Sequence, residues 1–195
     1  MAGVKQFDER AVLEKAMEAF RRKGFAETSM VDLARATKVQ RGSLYNAFAD
    51  KEAIFLKAYD LYAERFLGAM REALADPDPR GAVRAVLDAG IANMCGGRPA
   101  HGCLTTRTVM DAAAQSAAVR ARVRRLLDQF ETMIADMLAA AAARGAFAGD
   151  ARASARVVVA LTRGLAVLER AYGDEERLRE TAEAAIAMMF AKPAP

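Results

Sequence analysis

The chain has 195 residues with 29 Lys and Arg against 25 Asp and Glu, enough for one sizeable helical core and a small appended one but not for a string of domains. Its net charge of +4 permits nucleic-acid binding without demanding it, and two cysteines, Cys95 and Cys103, exclude a disulfide framework. Richness in Ala, Leu, Arg and Glu, with no Trp, favours an all-α fold over a sheet protein.

In chain order, a helix is expected over about residues 8–23, with Leu13, Ala16, Met17 and Phe20 on one face and a stop at Gly24. A short helix follows at about 30–36, where Ser29 and Asp32 have capping-box spacing. Thr37-Lys38-Val39 separates it from a third segment, QRGSLYNAF. After Asp50-Lys51 a longer amphipathic helix runs to about Leu74. ADPDPRG is a break, with Asp78 as cap and Pro79 as first residue of a helix to about Met94. HGCLTTRTVMDAAA reads as helical, a long arginine-laced helix runs from Ser116 to near Gly145, and two more occupy about 150–171 and 174–191. The total is about nine.

Charge is uneven along the chain: residues 1–51 hold ten Lys and Arg against seven Asp and Glu, most of the surplus. Two helices of about seven residues are too short to hold alone in water and need packing partners. Leu33, Val39, Leu44 and Phe48 supply their apolar side, and Ala34 is small where they would cross. Gln40, Arg41, Ser43 and Asn46 are left outward, with Tyr45 at one edge. Arg can grip guanine and Gln or Asn adenine, while hydroxyls suit phosphates. Gly42 removes a side chain where a duplex would approach, and Lys51 at the start of the fourth helix favours a phosphate.

The segment TSMVDLARATKVQRGSLYNAFADKEAIF resembles the DNA-binding signature of the TetR family of repressors, over about residues 8–56. The resemblance implies a helix-turn-helix domain over residues 1–52 and an effector-binding and dimerisation domain over 53–195. It implies DNA contacts from Thr28, Ser29, Gln40, Arg41, Ser43, Tyr45 and Lys51; the outward reading of the third segment adds Gly42 and Asn46, and the turn adds Lys38 to the expected DNA-binding set. Two departures stand out. Lys38 occupies a turn position where the family usually has Gly, at a cost of about 1 kcal/mol if the backbone is left-handed. Gln40 stands where the family prefers a Ser or Thr cap.

The resemblance further implies a homodimer, a palindromic double-stranded operator and a small-molecule effector. Leu161, Leu165, Leu168, Ala185, Met188 and Met189 fit an apolar dimer stripe; the same spacing serves an intramolecular core equally well. Effector-pocket candidates are Tyr59, Tyr62, Phe66, Met94, Leu104, Met110, Phe130 and Met133, with Arg107 as anion partner and Cys103 as a reactive thiol. GCL around Cys103 is similar to family members that sense reactive compounds through a cysteine. Electrophiles or oxidants at Cys103 are therefore one expected trigger, against a plain buried thiol.

No cofactor and no metal site is expected, since Cys95, His101 and Cys103 lack a fourth ligand. A repressor released from its operator is the expected function, and not an enzyme: no catalytic triad, paired carboxylates or phosphate-binding glycine loop appears. The soluble cytoplasm is the expected location, because charged residues interrupt each apolar run and MAGVKQFDER lacks a signal-peptide core. The alternatives are a non-catalytic helical adaptor and an enzyme using the C-terminal pocket.

Overall fold

The computed structural model describes residues 7–97, 100–111 and 116–191, and in them every regular element is a helix. These are α1 (Glu9–Glu27), α2 (Met30–Thr37), α3 (Arg41–Phe48), α4 (Lys51–Ala73), α5 (Pro79–Cys95), α6 (Leu104–Met110), α7 (Ala117–Ala143), α8 (Ala151–Tyr172) and α9 (Glu175–Met189). Asp78, the expected cap of α5, accepts from Arg80 and Gly81 N–H, and three more aspartates cap helix starts: Asp8 accepts from Arg10 and Ala11, Asp150 from Ala153 and Asp174 from Arg177. Each satisfies donors that a helix start leaves without partners.

The chain divides into two compact units that interleave in sequence: Met1–Arg65 with Leu104–Arg124, and Phe66–Cys103 with Arg125–Pro195. In the first, α1 packs on α2 and on α6, and α2 on α3. Phe20 is fully buried and meets Phe55 edge-on at 5.0 Å, while Phe25 meets Phe55 at 5.1 Å, the edge-to-face geometry that aromatic quadrupoles favour. Leu33, Leu44 and Phe48 pin the two short helices. In the second unit α5 packs on α8 and α9, and Val86, Ile91, Phe130, Ile134, Val158, Leu178 and Ile186 are buried.

Two boundaries differ from the sequence reading. Gly24 does leave helical geometry (φ 84°, ψ 172°), yet residues 25–27 resume the turn, so α1 is kinked there and ends at Glu27. Helix α6 starts at Leu104 instead of His101, because Gly102 adopts a positive φ of 67° that a right-handed helix cannot contain. The expected extension over 112–115 lies outside the described residues.

Candidate functional site

The α2 N-terminus is held by a reciprocal capping box. Ser29 Oγ accepts from Asp32 N–H at 3.1 Å, and Asp32 Oδ2 accepts from Ser29 N–H at 3.0 Å. Lys23 Nζ lies 2.6 Å from Asp32 Oδ1. The Lys23 bond, then those from Ser29, hold the Asp32 carboxyl well below the usual carboxylate range.

The turn into α3 takes the strained route: Lys38 is left-handed at φ 60°, ψ 27°. Thr37 Oγ1 donates to Leu33 O at 2.7 Å and accepts from Val39 N–H at 3.3 Å, bracing the turn from inside. Gln40 occupies the α3 cap with no side-chain bond to the helix, as its poor capping chemistry suggests. Leu44 and Phe48 anchor α3, which leaves Gln40, Arg41, Gly42, Tyr45 and Asn46 exposed and Ser43 half-buried. A Cβ on Gly42 would meet nothing within 4 Å, so the protein itself does not require glycine there. Arg41 and Lys38 meet no carboxylate among the described residues, whereas Lys23, Lys57 and Arg65 of the same unit are paired with Asp32, Glu9 and Glu14.

Two residues expected at this face turn inward. Thr28 is fully buried and donates to Gly24 O at 2.6 Å. Lys51 Nζ donates to Phe25 O at 2.8 Å and Ala26 O at 3.4 Å and sits 4.4 Å from the Phe25 ring centre. Both side chains serve the end of α1, so neither presents its polar atom outward in this structure.

The pocket candidates are divided between the units. Tyr59, Tyr62 and Leu104 are buried in the first, where Tyr59 Oη and Thr105 Oγ1 are 3.0 Å apart. Phe66, Met94 and Phe130 are buried in the second, with the Phe66 and Phe130 rings edge-on at 5.1 Å. Met133 is half-buried beside an open cleft lined by Leu67, Arg71, Asp128, Gln129 and Thr132. Met110 is 77% exposed and lines no interior. Arg107 is not placed as an anion partner: its guanidinium donates to the main-chain oxygens of Arg21, Arg22 and Lys23. Helical periodicity could not reveal this, because the acceptors lie some 85 residues away.

Cys103 is buried, and Arg163 Nη1 donates to its Sγ at 3.3 Å. Arg163 was not foreseen; one arginine among many on α8 carries no local sign of its partner. Burial, then the Glu175 and Glu169 carboxylates, pushes the Cys95 thiol up. On α8 and α9, Leu165 is buried within its own unit, the intramolecular role that its spacing equally allowed. Leu161, Leu168, Ala185 and Met189 are half-buried and Met188 is 75% exposed. Val157 and Val167, not anticipated, are exposed beside them.

A small helical unit that presents an unpaired cation, amides and hydroxyls from a pinned short helix defines a helix-turn-helix protein. The family description "Bacterial regulatory proteins, tetR family" matches residues 12–58 and "Tetracyclin repressor-like, C-terminal domain" matches residues 79–185. The chain belongs to the TetR family of DNA-binding transcriptional regulators. It is 42% identical over 62 residues to the HTH-type transcriptional repressor ComR of Escherichia coli, covering 32% of this chain and 30% of that protein. An uncharacterised HTH-type regulator of Bacillus subtilis, YezE, is 25% identical over 189 residues, covering 95% of this chain and 97% of that one. The fold is shared with a cysteine mutant of the TetR family regulator CifR complexed with 26-bp operator DNA (TM-score 0.87, 24% identity, 96% of this chain and 100% of that one). It is also shared with reduced E. coli NemR (TM-score 0.84, 19% identity, 96% and 98%). No helix among the described residues is long and apolar enough to cross a membrane.

Proposed function

We propose that the protein is a transcriptional repressor, without enzymatic activity, that binds a palindromic double-stranded operator as a homodimer and leaves it when a small-molecule effector acts on residues 53–195. The observation that carries this reading is the outer face of α3 and its turn. Lys38 and Arg41 stand exposed beside Gln40, Tyr45 and Asn46, with no carboxylate partner among the described residues. Arg41 and Gln40 read base edges from the α3 N-terminus; Lys38, Ser43 and Tyr45 hold phosphates, while both donors of Ser29 go to Asp32. CifR, a TetR family regulator held on 26-bp operator DNA, supports this use of the fold.

The trigger that the structure favours is chemical modification of Cys103. Its sulfur lies 3.3 Å from a guanidinium, and an adjacent cation stabilises the nucleophilic thiolate. The thiolate adds to an activated alkene, forming an S–C bond as the C=C π bond breaks and the resulting carbanion takes a proton from water, and the new group has to displace the packing around a buried sulfur. The modified dimer then holds its α3 helices at a spacing that no longer matches half-sites about one turn, or a multiple of it, apart.

The test is an electrophoretic shift with DNA selected from the source genome. Sequence-selective, salt-sensitive binding is expected, with release by an electrophile in the native protein but not in Cys103→Ser. Binding that ignores sequence and salt overturns the repressor reading. Normal release from Cys103→Ser overturns the trigger alone.

A further inference from the structure

We infer that Arg107 and Asp111, at and just beyond α6, are positioning residues for DNA binding: they fix the end of α1 from which α2 begins. The inference rests on α2 and α3 being the DNA-contacting pair. At Gly24 α1 breaks, and a break of this kind takes helical N–H partners from nearby carbonyls. Side chains meet the carbonyls one after another. Arg107 Nη1 donates to Arg21 O at 3.3 Å and Arg22 O at 2.8 Å, and Nη2 to Lys23 O at 3.0 Å. Thr28 takes Gly24 O, and Lys51 takes Phe25 O and Ala26 O. Asp111 Oδ2 accepts from Ala26 N–H at 2.8 Å.

Arg107 and Asp111 stand four residues apart, a spacing that puts them on one side of a helix. One brings a fork of donors to carbonyls and the other an acceptor to an amide, which together complement an interrupted helix end in charge and geometry. Gly24 makes the room. A Cβ there would stand 2.9 Å from Arg107 Nε, so the positive φ and the seat of the guanidinium both require glycine. Ser29, the α2 cap, follows Ala26 by three residues. Where Arg107 and Asp111 hold residues 21–26, they set where α2 starts and therefore where α3 meets DNA, although neither touches that face.

The test compares the full-length chain with Arg107→Ala, Asp111→Ala, Asp111→Asn and Arg41→Ala, at a temperature where each is fully helical. The probe is a duplex selected from a random pool by the native protein. Arg107→Ala and Asp111→Ala are expected to weaken it roughly fivefold to tenfold, as for the loss of a helix cap. The dependence of log K on log salt stays unchanged, since no phosphate contact is lost. Asp111→Asn, whose amide oxygen still accepts from Ala26, restores most of the affinity. Native affinity in both alanine variants overturns the inference, as does a salt slope reduced by about one in Arg107→Ala, which marks a direct phosphate contact. Failure of Asp111→Asn to rescue also overturns it. If Arg107→Ala does not fold, the Asp111 pair decides. Full affinity and selectivity in Arg41→Ala instead removes the α3 face as the contact surface and takes the inference with it.

Discussion

Arg163 Nη1 points at the sulfur of Cys103 across 3.3 Å, and no carboxylate among the described residues competes for that guanidinium. Arg163 also reaches its neighbour Thr162, whose Oγ1 lies 3.4 Å from Nε and 3.3 Å from Nη2. Removing the cation leaves the thiolate less favoured in a buried site. Arg163→Ala should therefore slow alkylation of Cys103 at neutral pH several-fold, and Arg163→Lys should recover part of the rate. Cys95 should react more slowly than Cys103 and gain rate only as pH rises, because burial and two carboxylates hold it protonated. Site-resolved mass spectrometry after a maleimide pulse checks both; equal Cys103 rates in native protein and Arg163→Ala would remove Arg163 from the account.

Acid should loosen the start of α2 in a defined range. The folded state depresses the Asp32 carboxyl below its usual 3.8, first through Lys23 and then through Ser29. A depressed carboxylate contributes stability that is fully present above the unfolded value and is lost as pH falls through the folded one. Asp32→Asn should therefore melt below the native protein at pH 7, keep that gap down to about pH 4, and close it only at more acidic pH. Salt should also narrow the gap, because the Lys23 pair is solvent-exposed. Melting curves at several pH values decide it; a gap that closes already between pH 7 and 5 contradicts the assignment.

Lys38 and Lys51 should separate by salt dependence, although both are cations expected at DNA. Lys38 is exposed and left-handed. Lys38→Gly relieves about 1 kcal/mol of backbone strain but adds similar freedom to the unfolded chain. Stability should barely change while the salt slope of DNA binding falls by about one. Lys51 is bonded to Phe25 and Ala26 carbonyls. Lys51→Ala should lower the melting temperature and leave the slope intact. A flattened slope in Lys51→Ala would return that residue to the phosphates, the role its position in the sequence suggests.

These lysines show what the sequence could and could not convey. Among the described residues, the helices, the Ser29–Asp32 box, the irregular turn at Lys38 and the weak cap at Gln40 follow from neighbours within four residues, where spacing and propensity act. The partners that Thr28, Lys51 and Arg107 take at the end of α1 are set by tertiary packing, which local spacing does not convey. The Gly24 kink creates a demand for donors that Arg107 meets from 84 to 86 residues away. Leu165 and Val157 illustrate the same limit on α8. Both are aliphatic and fall within one amphipathic helix, and only the position of α5 and α9 decides which is buried.

That division on α8 yields a test of the homodimer. Val157 and Val167 are 57% and 53% exposed and Met188 on α9 is 75% exposed, while Leu161 and Leu168 are half-buried at spacings of four and seven residues that continue one stripe. Gly164 lies in the same stripe, and a Cβ there would meet nothing within 4 Å, so a partner helix could approach closely. Leu165 instead points into its own unit at 1% exposure. Val157→Glu and Leu168→Glu should convert the dimer to a folded monomer and abolish tight operator binding, because a monomer reaches only one half-site. Leu165→Ala should keep the dimer and lose about 2–5 kcal/mol of stability through the cavity it leaves. Sedimentation velocity at several concentrations, paired with melting curves, distinguishes the two effects. A dimer that survives both glutamate substitutions would place the interface elsewhere on the chain.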